Sequence, residues 1–104
     1  MEIGLQNSES KLHEIRVKID SIDDEILSLL NRRAELSIQI GKIKEQFGMP
    51  VYSAEREELL IKNICEKSNG IMAEEAIKKI FQLIIDESKK IQNRIVDNNQ
   101  SLAK

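Results

Sequence analysis

Aromatic side chains are scarce: two Phe, one Tyr and no Trp occur among 104 residues. Stacking platforms for bases or sugars are therefore nearly unavailable, which argues against single-strand nucleic-acid binding. Sixteen Lys and Arg against 18 Asp and Glu leave a formal charge of -2. Such a chain lacks the electropositive field of a duplex binder, so any anion site must be local. The one cysteine, Cys65, cannot close an internal disulfide, and a lone thiol without clustered His or Asp is no metal site. It reads as a small apolar filler near a helix end, in a protein of the reducing cytoplasm. No stretch approaches the ~18 apolar residues of a membrane span. Residues 1–7 lack the basic region and continuous apolar core of a signal peptide, so neither membrane nor export is expected. One Pro and four Gly beside 40% apolar and 33% charged residues are the usage of a soluble, strongly helical protein, not of a barrel or sandwich. The length suits a single domain over residues 1–104, with a core from about residue 8 to 95.

What is present is helical periodicity. Leu12, Ile15, Ile19, Ile22, Ile26, Leu29, Arg33, Leu36, Ile40, Ile43 and Phe47 follow alternating steps of three and four, the pattern of a helix seam. Only Gly41 weakens it, and Gly48 with Pro50 supplies a stop, so one helix is predicted from about residue 10 to 47. At 1.5 Å per residue it is roughly 55 Å long, more than a compact domain of this size can bury alone. A second chain is needed to cover its seam. Ser53 is placed to cap a short second helix whose buried face is marked by Leu59, Leu60 and Ile64. Gly70 is available for a left-handed cap at its end. A third helix begins near Met72 and turns Ile77, Ile80, Phe81, Ile84, Ile85, Ile91 and Ile95 inward, before a polar tail from Asp97. The second and third helices laid end to end match the first in length. The predicted architecture is all-α: bent three-helix chains intertwined as an antiparallel homodimer.

The polar residues that interrupt these patterns point to function. Arg33 stands in the seam between Leu29 and Leu36. A buried guanidinium needs an anion, so Arg33 either meets a carboxylate across an interface or awaits an anionic ligand. Lys44 lies on the same face, because eleven residues at 100° each come within about 20° of whole turns; otherwise it is a solvated lysine. Arg16 sits roughly 42 Å from Lys44 along the helix and can share a small ligand with it only from another subunit. On helix three, Ser88 and Gln92 extend the row of Phe81 and Ile85, as ligand donors or as an inter-helix contact. Arg56 and Glu57 offer a cation and an acceptor in the first turn of helix two, where consecutive charges also commonly face water. His13, one turn before Arg16, reads as a solvated position and not a catalytic base.

Taken together, these stretches resemble the all-helical chorismate mutases, the AroQ class. The resemblance covers about residues 8–95 and is carried by Ile15 to Asp23, Leu29 to Leu36, Gly41 to Lys44, Pro50 to Tyr52, Glu55 to Glu57, and Phe81 to Ser88 with Gln92. It implies an intertwined dimer with two active sites and a substrate, chorismate, that is a small dicarboxylate. Arg16 of the partner chain and Arg33 are then the pair that holds a substrate carboxylate, through planar forks. Lys44 and Gln92 would donate to the ether oxygen of the breaking bond, and Glu57 would accept from the ring hydroxyl. Arg56 and Ser88 would line the carboxylate end. Ser53 departs from the family's usual Asp; its capping role survives the change.

The implied reaction, chorismate to prephenate, explains why no nucleophile, catalytic histidine, cofactor or metal site is called for. It is an intramolecular rearrangement that needs a folded conformer and stabilised charge. Two other readings compete: an isochorismate pyruvate-lyase on the same scaffold, and a non-catalytic helical dimer, which would leave Arg33 unexplained.

Overall fold

Three helices make up the described chain: α1 (Glu2–Phe47), α2 (Ala54–Lys67) and α3 (Glu74–Ala103). A computed structural model gives the backbone of residues 2–103 and the side chains of residues 7–97. Both outer boundaries run further than the apolar pattern predicts, α1 starting at Glu2 and α3 continuing to Ala103. Adding a residue to an existing helix costs little, so polar residues extend it beyond the last packed turn.

The ends of the helices follow local chemistry. Gly48 adopts φ 64°, Met49 N–H donates to Lys44 O at 2.8 Å, and Gly48 N–H reaches Glu45 O at 3.4 Å. This paired closure satisfies two orphan carbonyls of α1 and requires the left-handed residue that glycine supplies. Ser53 caps α2 from an extended backbone, its Oγ accepting from Arg56 N–H at 3.2 Å. Glu55 and Glu57 stand favourably against the positive end of that helix. The left-handed cap expected at Gly70 is not used. Ser68 stays extended, and its N–H already satisfies Ile64 O at 3.0 Å.

The chain divides into two compact units, Met1–Arg33 and Ala34–Lys104. The first is helical throughout its described backbone. Its seam residues Leu12, Ile15, Ile19, Ile22, Ile26 and Leu29 remain between 48 and 58% exposed. Arg33 is the one described residue of this unit that is half-buried, and it is not without a partner.

The second unit contains the end of α1 with α2 and α3. Helix α2 runs back alongside α3: Glu57 meets Gln82 and Lys89, while Cys65, further along α2, lies near the earlier residues Glu74 and Lys78. The two helices are therefore side by side and not end to end. Helix α1 runs parallel to α3, since Ser37 meets Ser88 and Gly41, one turn later, meets Gln92 and Ile95. Among the described residues the buried set is Ile85, Ser37 and Gln92, with Gly41. A core with so much polar character is the informative feature here.

Two predicted core positions point outward. Leu59 is 51% and Ile80 44% exposed. Leu60, Ile64 and the unpredicted Ile61 form the half-buried side of α2 together with Glu57 and Cys65. Among the described residues no helix is long and apolar enough to cross a membrane.

Candidate active site

Helix α3 carries the site on two of its faces. One face bears Ile85, Ser88, Gln92 and Ile95, at steps of three and four, and meets α1. The contact is close: a Cβ added at Gly41 would lie 3.2 Å from Gln92 Cα and 3.0 Å from Ile95 Cδ1. Only glycine lets the two backbones approach so far, which accounts for the one weak helix former in the seam. Ser37 and Ser88 hydrogen-bond across the same junction through their hydroxyls. Gln92 is 7% exposed, and its Oε1 is buried without a hydrogen-bond partner.

The other face of α3, Gln82, Asp86 and Lys89, holds Glu57 of α2. Gln82 Nε2 donates to Glu57 Oε1 at 3.3 Å and to Asp86 Oδ1 at 3.0 Å. Lys89 Nζ pairs with Glu57 Oε2 at 3.1 Å and with Asp86 Oδ1 at 3.5 Å. The Glu57 contact has ion-pair distance but not the directionality of a hydrogen bond, so Oε2 keeps an unmet acceptor. The Lys89 ammonium also lies 5.0 Å from the centre of the Tyr52 ring. The short side-chain contact with Glu57, opposed by partial desolvation and helped by the Glu57 and Asp86 charges, holds the Lys89 pKa above the ordinary lysine value. The carboxylate is thus fixed in direction, and Glu57 is not the water-facing charge that its place beside Arg56 suggested.

Lys44 is half-buried in the last turn of α1, its Nζ donating to Val51 O at 2.9 Å. An ammonium has three hydrogens, so this tether orients the side chain and leaves two for another acceptor. The loop that provides the carbonyl follows directly from the Gly48 cap. Arg56 is exposed, and the Ser53 hydroxyl is committed to the helix cap. Arg16 is exposed on the first unit.

Within the second unit the predicted residues are partly assembled. Ser88 and Gln92 meet α1 together, whereas Glu57 borders a cleft of about 660 Å³ with Tyr52, Ile61, Cys65, Lys78 and Gln82. Lys44 lines a separate recess of about 400 Å³ with Val51, Asn93 and Val96. In the cleft, partial desolvation and then the Glu74 charge raise the Cys65 pKa, which makes this thiol a poor nucleophile at neutral pH. Sequence reasoning missed Ser37, Gln82, Asp86 and Lys89. The last three share a helix face at steps of four and three, a signal that could have marked them; a serine within α1 gave none.

Comparison with known proteins identifies the family. The family model described as chorismate mutase type II matches residues 15–93. A chorismate mutase of Methanocaldococcus jannaschii is 37% identical over 94 residues, covering 88% of this chain and 93% of that protein. The bifunctional chorismate mutase/prephenate dehydratase of Aquifex aeolicus is 37% identical over 89 residues, but these amount to only 25% of its length. A solved structure, form II of the chorismate mutase from Thermus thermophilus, matches with a TM-score of 0.79 at 30% identity, over 81% of this chain and 96% of that one. On these grounds the chain belongs to the type II chorismate mutase family.

Proposed function

We propose that this chain acts as one chorismate mutase domain, converting chorismate to prephenate in aromatic amino acid biosynthesis without covalent catalysis. In this rearrangement one C–O bond breaks as one C–C bond forms within a single molecule. Holding the folded conformer removes much of the entropic barrier. Negative charge then grows on the ether oxygen, and donors fixed in advance stabilise that state more than the ground state. Lys44 and Gln92 are the donors to that oxygen, and Glu57 accepts from the ring hydroxyl. Arg33, with Arg16 of a partner chain, grips a carboxylate, and Ser88 and Arg56 line the carboxylate end. Ser53 serves by capping the turn that presents Arg56 and Glu57.

One observation carries this reading: Gln92 is nine-tenths buried with an amide atom unpaired. Such an atom costs about 1–3 kcal/mol unless something completes it. Turning the terminal amide over exchanges oxygen for N–H2 with little change of shape, so the same position can donate to an ether oxygen. Lys44, tethered through one hydrogen, and Glu57, oriented by Gln82 and Lys89, support it. The family match favours the mutase over the lyase and over a purely associative role.

The same reading includes a homodimer. The seam of the first unit stays about half exposed along six consecutive apolar positions, and a second copy is the occupant whose matching stripe buries both. Arg16 reaches a site in this arrangement only from the other chain. A lone, poorly nucleophilic thiol suits a cytoplasmic setting. The test is the loss of chorismate absorbance with purified protein, followed by acid conversion of the product to phenylpyruvate. Salicylate and pyruvate from isochorismate, with chorismate untouched, would replace the mutase with the lyase.

A further inference from the structure

Lys89 is paired with Glu57, yet the rearrangement described above makes no use of it. Its Nζ lies 3.1 Å from Glu57 Oε2, 3.5 Å from Asp86 Oδ1 and 5.0 Å from the centre of the Tyr52 ring. Contacts to α2, to its own helix and to the loop before α2 thus hold the ammonium in place, in a side chain 27% exposed. Glu57 Oε1 accepts from Gln82, so Oε2, beside the ammonium, is the oxygen with an unmet acceptor. An ion pair acts through charge and distance and requires no hydrogen-bond direction. Any group that Glu57 accepts from therefore sits next to a fixed positive charge. A hydroxyl is neutral and hardly feels that charge, whereas an alkyl amine is a cation at neutral pH and is repelled by it. Asp86 does not reverse the sign: Glu57 and Asp86 carry two negative charges against the one of Lys89, so loss of Lys89 deepens the local negative potential.

We propose that Lys89 is a specificity-determining residue acting through Glu57: its ammonium offsets the carboxylate charge and biases the pocket toward a substrate with a neutral hydroxyl, against one with an ammonium at the same ring position. This rests on the chorismate mutase reading, with Glu57 accepting from the ring hydroxyl. The two substituents differ little in size, so shape separates them poorly and charge is the property left to read. A like charge within about 4–6 Å moves the balance between charged and neutral forms by about 10- to 1000-fold, and the partial exposure of Lys89 places the effect at the low end.

The test measures kcat/KM for chorismate and for its analogue with an amino group in place of the ring hydroxyl, in the wild type, Lys89→Met, Lys89→Arg and Gln82→Met. Their ratio is taken within one preparation, so any loss of folded protein cancels. Lys89→Met is expected to raise the ratio of amino to hydroxyl substrate about tenfold. Lys89→Arg, which keeps the charge, and Gln82→Met, which loosens the same carboxylate without altering charge, should each stay within about twofold of the wild type. Where the amino compound is not turned over, its inhibition constant against chorismate takes the place of its kcat/KM. Lys89→Gln serves equally if the methionine variant does not fold. A rise of less than about threefold in Lys89→Met, or an equal rise in Lys89→Arg or Gln82→Met, would overturn the proposal while leaving the mutase reading intact. A wild-type protein inert toward chorismate would overturn both.

Discussion

Replacing Gly41 by alanine separates helix propensity from packing, because the two effects have opposite signs at this position. On an exposed helix surface the change gains about 1 kcal/mol. Here the new methyl would stand 3.2 Å from Gln92 Cα, 3.0 Å from Ile95 Cδ1 and 3.5 Å from Ile95 Cβ. Carbon contacts relax at about 3.5–4.0 Å, so the α3 backbone must retreat from α1 by about 0.3–0.8 Å. The Ile95 methyl can rotate away, but the Gln92 backbone cannot. Overpacking of this kind costs about 1–3 kcal/mol, leaving a net loss of up to about 2 kcal/mol. For a domain this small that lowers Tm by as much as about 10 °C. Gln92 moves with its backbone, and since a misplacement of about 1 Å costs about a hundredfold in rate, kcat should fall about tenfold. Circular dichroism melts and initial rates of chorismate loss read both effects. Gly70→Ala is the control, because a Cβ there meets nothing within 4 Å. A Gly41→Ala protein that melts higher than wild type with unchanged kcat would refute the argument.

Other consequences are open to measurement. With Gln92 as the proposed donor, wild-type activity should not require acid, because an amide donates at any pH. Gln92→Glu should be active only where its carboxyl is protonated, so its kcat should rise as pH falls; a pH–rate profile like that of the wild type would remove Gln92 from the ether oxygen. Mixing inactive Arg16→Ala and Lys44→Ala chains after joint refolding should restore about a quarter of wild-type activity, since half the dimers are mixed and each keeps one intact site. No recovery, with mixed dimers demonstrated by mass, would rule out sharing of the site. Ser53→Ala should cost about 1 kcal/mol in a thermal or urea melt by removing the acceptor for Arg56 N–H. Restored stability in Ser53→Asp would confirm a capping role, since Asp is an equally good cap.

Much of the fold can be read locally. The alternating steps from Leu12 to Phe47 specify a helix, Gly48 ends it with the positive φ it alone tolerates well, and Ser53 begins the next by accepting from Arg56 N–H. These features depend on residues within one or two turns, so the sequence contains all the information they require. Among the charged candidates, Arg33 was also visible because it interrupts the apolar seam and Glu57 because it stands in a first turn beside a cap, whereas Lys44 was picked out by sharing a helix face with Arg33 and Arg16 by the family resemblance.

Which neighbour covers which face is another matter. Periodicity marks Leu59 and Ile80 as apolar but does not say that they remain outside while Ile61 turns toward α3. It shows Gly41 as a weak point, whereas the parallel approach of α3 makes that glycine necessary. Ser37 found its partner fifty-one residues away, and Glu57 its supports on the far side of a loop. The sequence alone determined that three helices form and that α1 stops at Gly48 and α2 starts at Ser53, because hydrogen bonding within a turn is short-ranged. Only the tertiary structure decided which polar groups are buried and what they face, because burial depends on a second surface that no local pattern contains.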